Sequence, residues 1–203
     1  MGAVNAFRLL VQARKNQWLK PAELEELQAK RLRAMIKHAY GNTEFYHRKF
    51  KDAGIRPEDI RTVADLKKVP FTTKSEVREH STGSMLARGV DLRKCIVTET
   101  SGSTGIPTKV VYDSSANDFS KAINLRSHFE NGLTPWSRWA IFGDPHHFQK
   151  PTWFQKFGLL SPTWISALDP VEKQIEYLKK YKPDVLSGYT SSLYLLSSAI
   201  KEK

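Results

Sequence analysis

The chain has 203 residues, 40% of them hydrophobic and 26% charged, which is typical of a globular protein and excludes a low-complexity or fibrous chain. It carries a single cysteine, Cys95, which excludes an intramolecular disulfide framework and argues against a cysteine-based metal cluster. A formal net charge of +11 favours polyanionic partners (nucleic acid, acidic lipid or phosphate-bearing small molecules) or else reflects a solvated basic surface.

The amino-terminal residues predict neither a secretory signal nor a myristoylation signal. Arg8 interrupts the apolar run early, and Ala6 stands where myristoylation needs Ser or Thr. No apolar stretch approaches the length of a membrane span. With the single cysteine, this predicts a cytoplasmic protein. Because the basic residues are spread over predicted helices and mixed with acids, nucleic acid is not an expected partner.

Residues 1–90 are predicted to form a helical amino-terminal extension. Pro21 suits the first turn of a helix. Apolar residues then follow at helical spacing: Leu24, Leu27, Leu32, Met35, Ile36 and Ala39. A second helix is predicted to begin after the N-cap residue Thr43 and to end near Gly54.

Two shorter helices are predicted in the rest of this extension. Thr62 followed by Asp65 indicates one helix start, and Thr73 followed by Glu76 forms a capping box for another. The first ninety residues are therefore expected to be a series of helices separated by turns.

Residues 91–203 alternate strand and helix signals, and are predicted to form an incomplete α/β subdomain. In chain order we expect strands at 96–100 and 109–112, a helix capped by Ser115 and Asp118, a buried strand at 139–143, a helix from Asp169-Pro170, a strand at 185–188 and a helix at 191–201. This order predicts an α/β fold in which helices cover a mixed sheet. Since nothing in the final charged helix closes a sheet, we expect the chain to be a fragment of something longer.

A loop rich in hydroxyl groups and glycine lies between the first two predicted strands. It contains Ser101, Ser103 and Thr104 as hydroxyl donors, Gly102 and Gly105 as flexible positions, and then Thr108 and the cation Lys109. Glycines let successive backbone N–H groups point at one spot, which suits a polyphosphate. The spacing differs from the Walker A pattern, because Gly105 is not followed by Lys and Ser or Thr. A plain polar hairpin loop is the alternative interpretation.

The string at residues 101–108 resembles the signature loop of the adenylate-forming superfamily. With Thr108 at a place where most of that superfamily has Lys or Arg, it is most similar to the phenylacetate–CoA ligase branch. Segments 42–50, 53–55 and 69–74 are similar to the amino-terminal helices of that branch. Segment 182–193 resembles its strand–turn–helix beside the acyl pocket, so the resemblance covers about residues 20–203.

The resemblance implies a role for each residue of the loop and its edges. The ATP-binding residues would be Thr100, Ser101, Gly102, Ser103, Thr104, Gly105, Thr108 and Lys109, within a phosphate loop at 101–109. It implies ATP, Mg²⁺ and CoA as cofactors and a carboxylic acid as substrate, and it makes the chain part of the large adenylate-forming domain. In the implied reaction a carboxylate attacks the α-phosphate of ATP, and the CoA thiol then displaces AMP.

No catalytic residue is assigned within residues 1–203. The family's adenine-contacting Tyr-Gly segment, ribose-binding acid and carboxy-terminal lysine all lie downstream of the region that this chain resembles. We therefore expect this chain alone to be inactive or very weakly active. Two alternatives are a truncated, non-catalytic nucleotide-binding module and a basic nucleic-acid-binding domain.

A second group of candidates concerns the acyl pocket. By resemblance Phe142 and a histidine, His147, would line it, and Tyr189 would face it. The alternatives are a turn with exposed histidines for His146 and His147, and a core or rim position for Tyr189. No metal site is predicted here, because Asp144 is too close in sequence to the histidines to complete one. The dense aromatics at 136–164 are interpreted as core residues, with an aryl pocket as the alternative.

Overall fold

The computed structural model describes residues 2–100, 107–148 and 150–201. The chain divides into two compact units, Met1–Asn124 and Leu125–Lys203. Within the described residues, every helix is too short or too polar to cross a bilayer. The sequence-based division into a helical extension at 1–90 and an α/β subdomain at 91–203 differs from these units and stays a prediction.

The first unit begins with four α-helices. They are α1 (Gly2–Asn16), α2 (Pro21–Asn42), α3 (Glu44–Asp52) and α4 (Lys74–His80). Three 3₁₀ segments, Pro57–Asp59, Val63–Lys68 and Leu92–Lys94, lie in the connections. The start of α2 at Pro21 is as predicted, whereas α1 was expected only as part of a generally helical section.

Thr43 ends α2 and begins α3, as the N-cap prediction required. Its hydroxyl donates to the carbonyl of Ala39 at 2.8 Å and accepts from the backbone N–H of Tyr46 at 3.3 Å. Gly54, just beyond α3, has φ of +68°, a left-handed conformation that glycine adopts without strain. Both ends of the predicted second helix are therefore confirmed.

The two shorter predicted helices have different outcomes. At Thr73 the capping box is confirmed, because the backbone N–H of Thr73 donates to Glu76 Oε2 at 2.7 Å and α4 follows. At Thr62 the backbone N–H donates to Asp65 Oδ2 at 2.9 Å, but the segment that follows is a 3₁₀ helix. The capping signal was thus correct there, but the predicted α-helix is a 3₁₀ helix of six residues, Val63–Lys68.

The core of the first unit lies where α2 meets α3 and the connection after it. Its buried residues are Ile36, Phe50, Ile55 and Ile60. Phe50 and Ile60 are almost completely shielded from solvent. Burial of one such side chain stabilises a fold by roughly 1.5–3 kcal/mol, so this cluster supports the helical section.

A β-hairpin follows the helices in the first unit. Strand β1 (Ile96–Thr100) pairs antiparallel with β2 (Thr108–Tyr112). Helix α5 (Ser114–Glu130) comes next, and the boundary between the units falls within it. The predicted cap of this helix was wrong. Asp113, not Ser115, accepts the hydrogen bond from the N–H of Ala116, so the helix starts earlier than expected.

The second unit contains a three-stranded parallel sheet. Its strands are β3 (Trp139–Gly143), β4 (Pro162–Ser166) and β5 (Val185–Gly188), in the order β4-β3-β5. Helix α6 (Val171–Tyr181) connects β4 to β5, and α7 (Thr190–Lys201) follows β5. Strand β4 overlaps the end of the aromatic segment at 136–164 and was not predicted. The described strands thus include both parallel and antiparallel pairs, and the predicted α/β fold with a helical lead-in is confirmed.

The second unit has its own hydrophobic core. It is formed by inward-facing side chains of β3 and β4 and the apolar faces of α6 and α7: Ala140, Phe142, Ile165, Ile175 and Leu196. Strand β3, with a neighbour on each side, is the most buried strand, as its continuous apolar sequence predicted.

Candidate phosphate loop and acyl-pocket residues

The hairpin of the first unit holds both ends of the predicted phosphate loop. Thr100 and Thr108 are directly opposite each other in the β1–β2 register. Directly opposed residues of an antiparallel pair have Cα atoms about 4.5–5.5 Å apart. The loop residues Ser101, Gly102, Ser103, Thr104 and Gly105 lie outside the described residues, so their predicted contacts stay predictions. The structure thus places the two ends of the loop side by side, because Thr100 and Thr108 are paired strand residues.

Thr108, at the second end of the loop, has a buried side chain with an unused hydroxyl. Its relative exposure is 8%, and its Oγ1 has no hydrogen-bond partner among the residues that the structure describes. A buried hydroxyl without a partner costs about 1–3 kcal/mol. It can donate one hydrogen bond and accept others. Thr108 therefore has the capacity to bind an oxygen supplied by the loop or by a ligand.

Lys109 lies on the other face of the hairpin. Successive side chains of a strand point to opposite faces, so Thr108 and Lys109 cannot both face the same side through ordinary strand geometry. The ammonium of Lys109 is 3.7 Å from Glu99 Oε1, on the residue directly opposite, and both side chains are about half exposed. Such a pair is weak in water. The side chains of the two predicted phosphate-binding residues of β2 thus lie on opposite faces of the hairpin.

The acyl-pocket candidates lie in the second unit, at one edge of its sheet. Phe142 is near the carboxyl end of β3, Tyr189 directly follows β5, and His147 lies in the 3₁₀ turn Pro145–His147 after β3. The carboxyl ends of parallel strands meet at one edge, where α/β proteins commonly bind ligands. The sheet therefore brings these three positions to the same edge.

The side chains of Phe142 and Tyr189 have different surroundings. Phe142 is 1% exposed and belongs to the hydrophobic core of the second unit, whereas Tyr189 is more than half exposed. The turn with the histidines is fixed by Asp144, whose Oδ1 accepts from the N–H of His146 at 2.9 Å. The pocket-lining roles of Phe142, His147 and Tyr189 stay predictions.

Sequence reasoning missed the third strand end at this edge. Ala167, just after β4, donates its N–H to the carbonyl of Gly143 at 2.9 Å, which ties the ends of β4 and β3 together. The run Pro162–Ser166 begins at a proline, contains β-prone residues and is followed closely by Asp169-Pro170. Those were the available signals, but the density of aromatic residues favoured a cluster over a strand.

The largest pKa shifts belong to residues outside the candidate phosphate loop and outside the acyl-pocket candidates. Glu76 in α4 accepts from Lys49 Nζ at 2.7 Å and from the backbone N–H of Thr73. These bonds, with that to Lys49 as the larger cause, lower the pKa of Glu76 to about 2. Among the described residues, no group of three His, Cys, Asp or Glu side chains could hold a metal ion.

Comparison with curated proteins finds several phenylacetate–CoA ligases among the relatives. The one from Pseudomonas putida is 36% identical over 190 residues, covering 89% of this chain and 41% of the relative. That from Aromatoleum evansii is 31% identical over 174 residues, covering 81% and 38%. That from Escherichia coli (strain K12) is 39% identical over 104 residues, covering 51% and 23%. No protein-family model matches the chain.

Comparison with solved structures agrees on the fold. A 2-hydroxyisobutyryl-CoA ligase in its postadenylation state matches with a TM-score of 0.68 at 20% identity, covering 91% of this chain and 40% of that one. The chain thus spans about two fifths or less of the length of these relatives. Sequence relatives, the order of the helices and strands, and a hairpin that frames the signature loop agree. Over most of its length the chain is therefore similar to part of the phenylacetate–CoA ligase branch of the adenylate-forming superfamily.

Proposed function

We propose that this chain is the amino-terminal, ATP-phosphate-binding part of an AMP-forming carboxylic acid–CoA ligase. The observation that carries the proposal is the buried hydroxyl of Thr108 at the base of the loop, which has no hydrogen-bond partner within residues 2–100, 107–148 and 150–201. The sequence between β1 and β2 supplies further hydroxyls and two glycines at this point. The named activity of the phenylacetate–CoA ligase relatives supports the reaction class.

In the proposed first step a carboxylate oxygen of the acid attacks the α-phosphorus of ATP. The bond from that phosphorus to the bridging oxygen breaks, giving acyl-adenylate and pyrophosphate. The loop residues and Thr108 would hold the leaving phosphates through hydroxyl and backbone N–H donors. Mg²⁺, bound through the phosphates, would neutralise part of their charge. In the second step the CoA sulfur attacks the acyl carbon and AMP leaves.

The role of the chain in this reaction is positioning. No side chain of the chain is proposed to form a covalent bond to substrate, and a loop held at both ends by strand pairing can orient pyrophosphate for in-line departure. We assign Thr108 to the phosphate side of the hairpin. We assign Lys109 to the opposite side, where it faces Glu99.

For the acid we propose a site at the carboxyl edge of the parallel sheet, near Tyr189 and His147. The relatives' names include ligases for phenylacetate and for 2-hydroxyisobutyrate, so aryl and branched aliphatic acids form the natural test panel. The exposed ring of Tyr189 is the candidate contact for the acid, since Phe142 is already packed in the core.

Thermal unfolding in the presence of nucleotides tests the proposal. A ligand that binds only the folded chain raises the melting temperature in a concentration-dependent way. We expect ATP and pyrophosphate with Mg²⁺ to raise it, AMP to raise it less, and a DNA duplex to leave it unchanged. Stabilisation by DNA together with no response to ATP or pyrophosphate would contradict the proposal and favour the nucleic-acid alternative.

The alternative is a nucleotide-binding module without turnover, since no catalytic residue is assigned within residues 1–203. Assays of acid-dependent pyrophosphate release and of thioester formation separate the two. We expect no turnover by the 203-residue chain. Turnover would be expected from a reading frame that continues into a Tyr-Gly segment and a late lysine. Thioester formation by the purified chain alone would contradict the expectation that this chain does not catalyse the reaction by itself.

A further inference from the structure

Helix α1 and the turn after it expose a band of apolar side chains. The band consists of Val4, Phe7, Val11 and Trp18, which are 81%, 67%, 40% and 80% exposed. At 100° per residue the three helical members fall within about 60° of one another. They therefore form one continuous stripe on the outer face of α1, with Trp18 just beyond its end.

The opposite face of α1 is already used for packing. Leu10 and Ala13 are buried. The side-chain amide of Asn5 donates to the buried carboxylate of Asp118 at 3.0 Å, across 113 positions of the chain. This packing and this hydrogen bond fix the rotation of α1 within the first unit. The apolar band is thereby held outward, because rolling it inward would expose Leu10 and break the bond to Asp118.

Exposed cations border the band on both sides. Arg8 and Lys15 lie beside Val4 on the helical wheel, and Arg14 lies beside Phe7. Residues 1–22 contain Arg8, Arg14, Lys15 and Lys20 and no Asp or Glu. An apolar stripe with aromatic residues, bordered by Lys and Arg, is the pattern of helices that lie in the interface of an anionic bilayer.

We infer that the α1 band docks on a membrane surface rich in anionic lipid, with Phe7 and Trp18 entering the headgroup region. Charge complementarity favours this occupant. A second copy of the chain would bring the same cations against Arg8 and Lys15, and no acidic residue of α1 would neutralise them. The contact is peripheral, because none of the described helices is long and apolar enough to span a bilayer. It is independent of ATP binding.

Co-sedimentation of the 203-residue chain with large unilamellar vesicles tests this inference. Vesicles of phosphatidylcholine alone are compared with vesicles containing 30% phosphatidylglycerol, at low and high salt. We expect binding to the anionic vesicles at least about tenfold tighter than to the neutral ones, and weakened by salt. Equal binding to both vesicle types, or no binding to either, would overturn the inference.

Matched variants localise the contact. Phe7→Glu/Val11→Glu should lower anionic-vesicle binding about tenfold or more, whereas Phe157→Glu/Trp153→Glu, at exposed apolar positions of the second unit, should leave it within about twofold. Arg8→Glu/Lys15→Glu should also lower it about tenfold or more, and Lys179→Glu/Lys180→Glu, with the same change in net charge, should lower it less. Circular dichroism confirms that each variant is folded.

Two further outcomes would overturn the inference. Vesicle binding that survives Phe7→Glu/Val11→Glu in a folded chain would place the contact elsewhere. A wild-type chain that is dimeric by light scattering, and becomes monomeric in the same variant, would show that a second copy covers the band. Nucleotide binding is measured in parallel, and its presence or absence does not affect the interpretation.

Discussion

Gly188 of β5 lies so close to Phe142 of β3 that the two strands have no room for a side chain between them. A β-carbon placed on Gly188 would be 2.7 Å from the carbonyl oxygen of Phe142 and 2.8 Å from its β-carbon. The two residues are paired in the parallel register. This close approach fixes the end of β5, and therefore the position from which Tyr189 leaves the sheet.

Gly188→Ala is accordingly expected to destabilise the chain by about 1–3 kcal/mol, because the methyl group meets backbone and β-carbon atoms that cannot move independently. Urea unfolding followed by circular dichroism measures the change. Gly41→Ala is the control, since Gly41 lies in α2 and a β-carbon added there would meet no neighbouring atom within 4 Å. That substitution should be neutral or stabilising, and a Gly188→Ala chain as stable as wild type would contradict the packing described.

The pair of Lys49 and Glu76 predicts a specific pH dependence of stability. The pKa of Glu76 is lowered from 4.5 to about 2 in the folded chain, mainly by the hydrogen bond from Lys49. A lowered carboxyl pKa stabilises the fold above the unfolded-state pKa, and this contribution is lost as the pH falls through the folded-state value. The stability advantage of wild type over Glu76→Gln should therefore be complete near pH 7 and shrink between pH 4.5 and 2.

A double-mutant cycle with Lys49→Met isolates this ion pair. Urea midpoints of wild type, both single variants and the double variant are measured at neutral pH and again near pH 2.5. We expect coupling between the two positions at neutral pH and a smaller coupling in acid, because near pH 2.5 Glu76 is protonated in the unfolded chain and must lose that proton on folding to pair with Lys49. Coupling that is unchanged across this range would show that another group lowers the pKa.

Replacing Thr43 is expected to lower the stability of the fold, since its hydroxyl forms hydrogen bonds to both α2 and α3. Thr43→Ala removes the acceptor for the Tyr46 N–H and the donor to Ala39, and should cost about 1 kcal/mol. Thr43→Ser keeps the hydroxyl and should recover most of that stability. Thermal or urea unfolding of both variants makes the comparison. Equal losses in Ala and Ser would assign the effect to the methyl group of this buried residue instead.

The parts of the fold that the sequence predicted are those with local causes. Pro21, Thr43 and the Thr73–Glu76 box mark helix ends through interactions within a few residues, and each was confirmed. The apolar runs of β3 and β5 are likewise local signals. Strand β4 was missed because its aromatic Trp164 could be interpreted equally well as pocket or core.

The relationships that the sequence did not predict depend on distant pairing. The approach of Gly188 to Phe142 follows from the strand order β4-β3-β5, which no local pattern reveals. The bond from Asn5 to Asp118 has the same origin. In contrast, the separation of Thr108 from Lys109 follows from strand alternation alone and was available from the sequence once β2 was placed.

The most direct test of phosphate binding at this hairpin is calorimetric titration of ATP, pyrophosphate and AMP, with Mg²⁺, into the wild-type chain and three variants. Thr108→Val removes a buried hydroxyl without changing shape, Lys109→Met removes the cation on the other face, and Thr98→Val is the matched control on β1. We predict that Thr108→Val weakens ATP and pyrophosphate binding about tenfold and leaves AMP binding unchanged. Lys109→Met and Thr98→Val should stay within about threefold of wild type. Wild-type affinity in a folded Thr108→Val chain, or a wild type that binds AMP as tightly as ATP, would contradict the account.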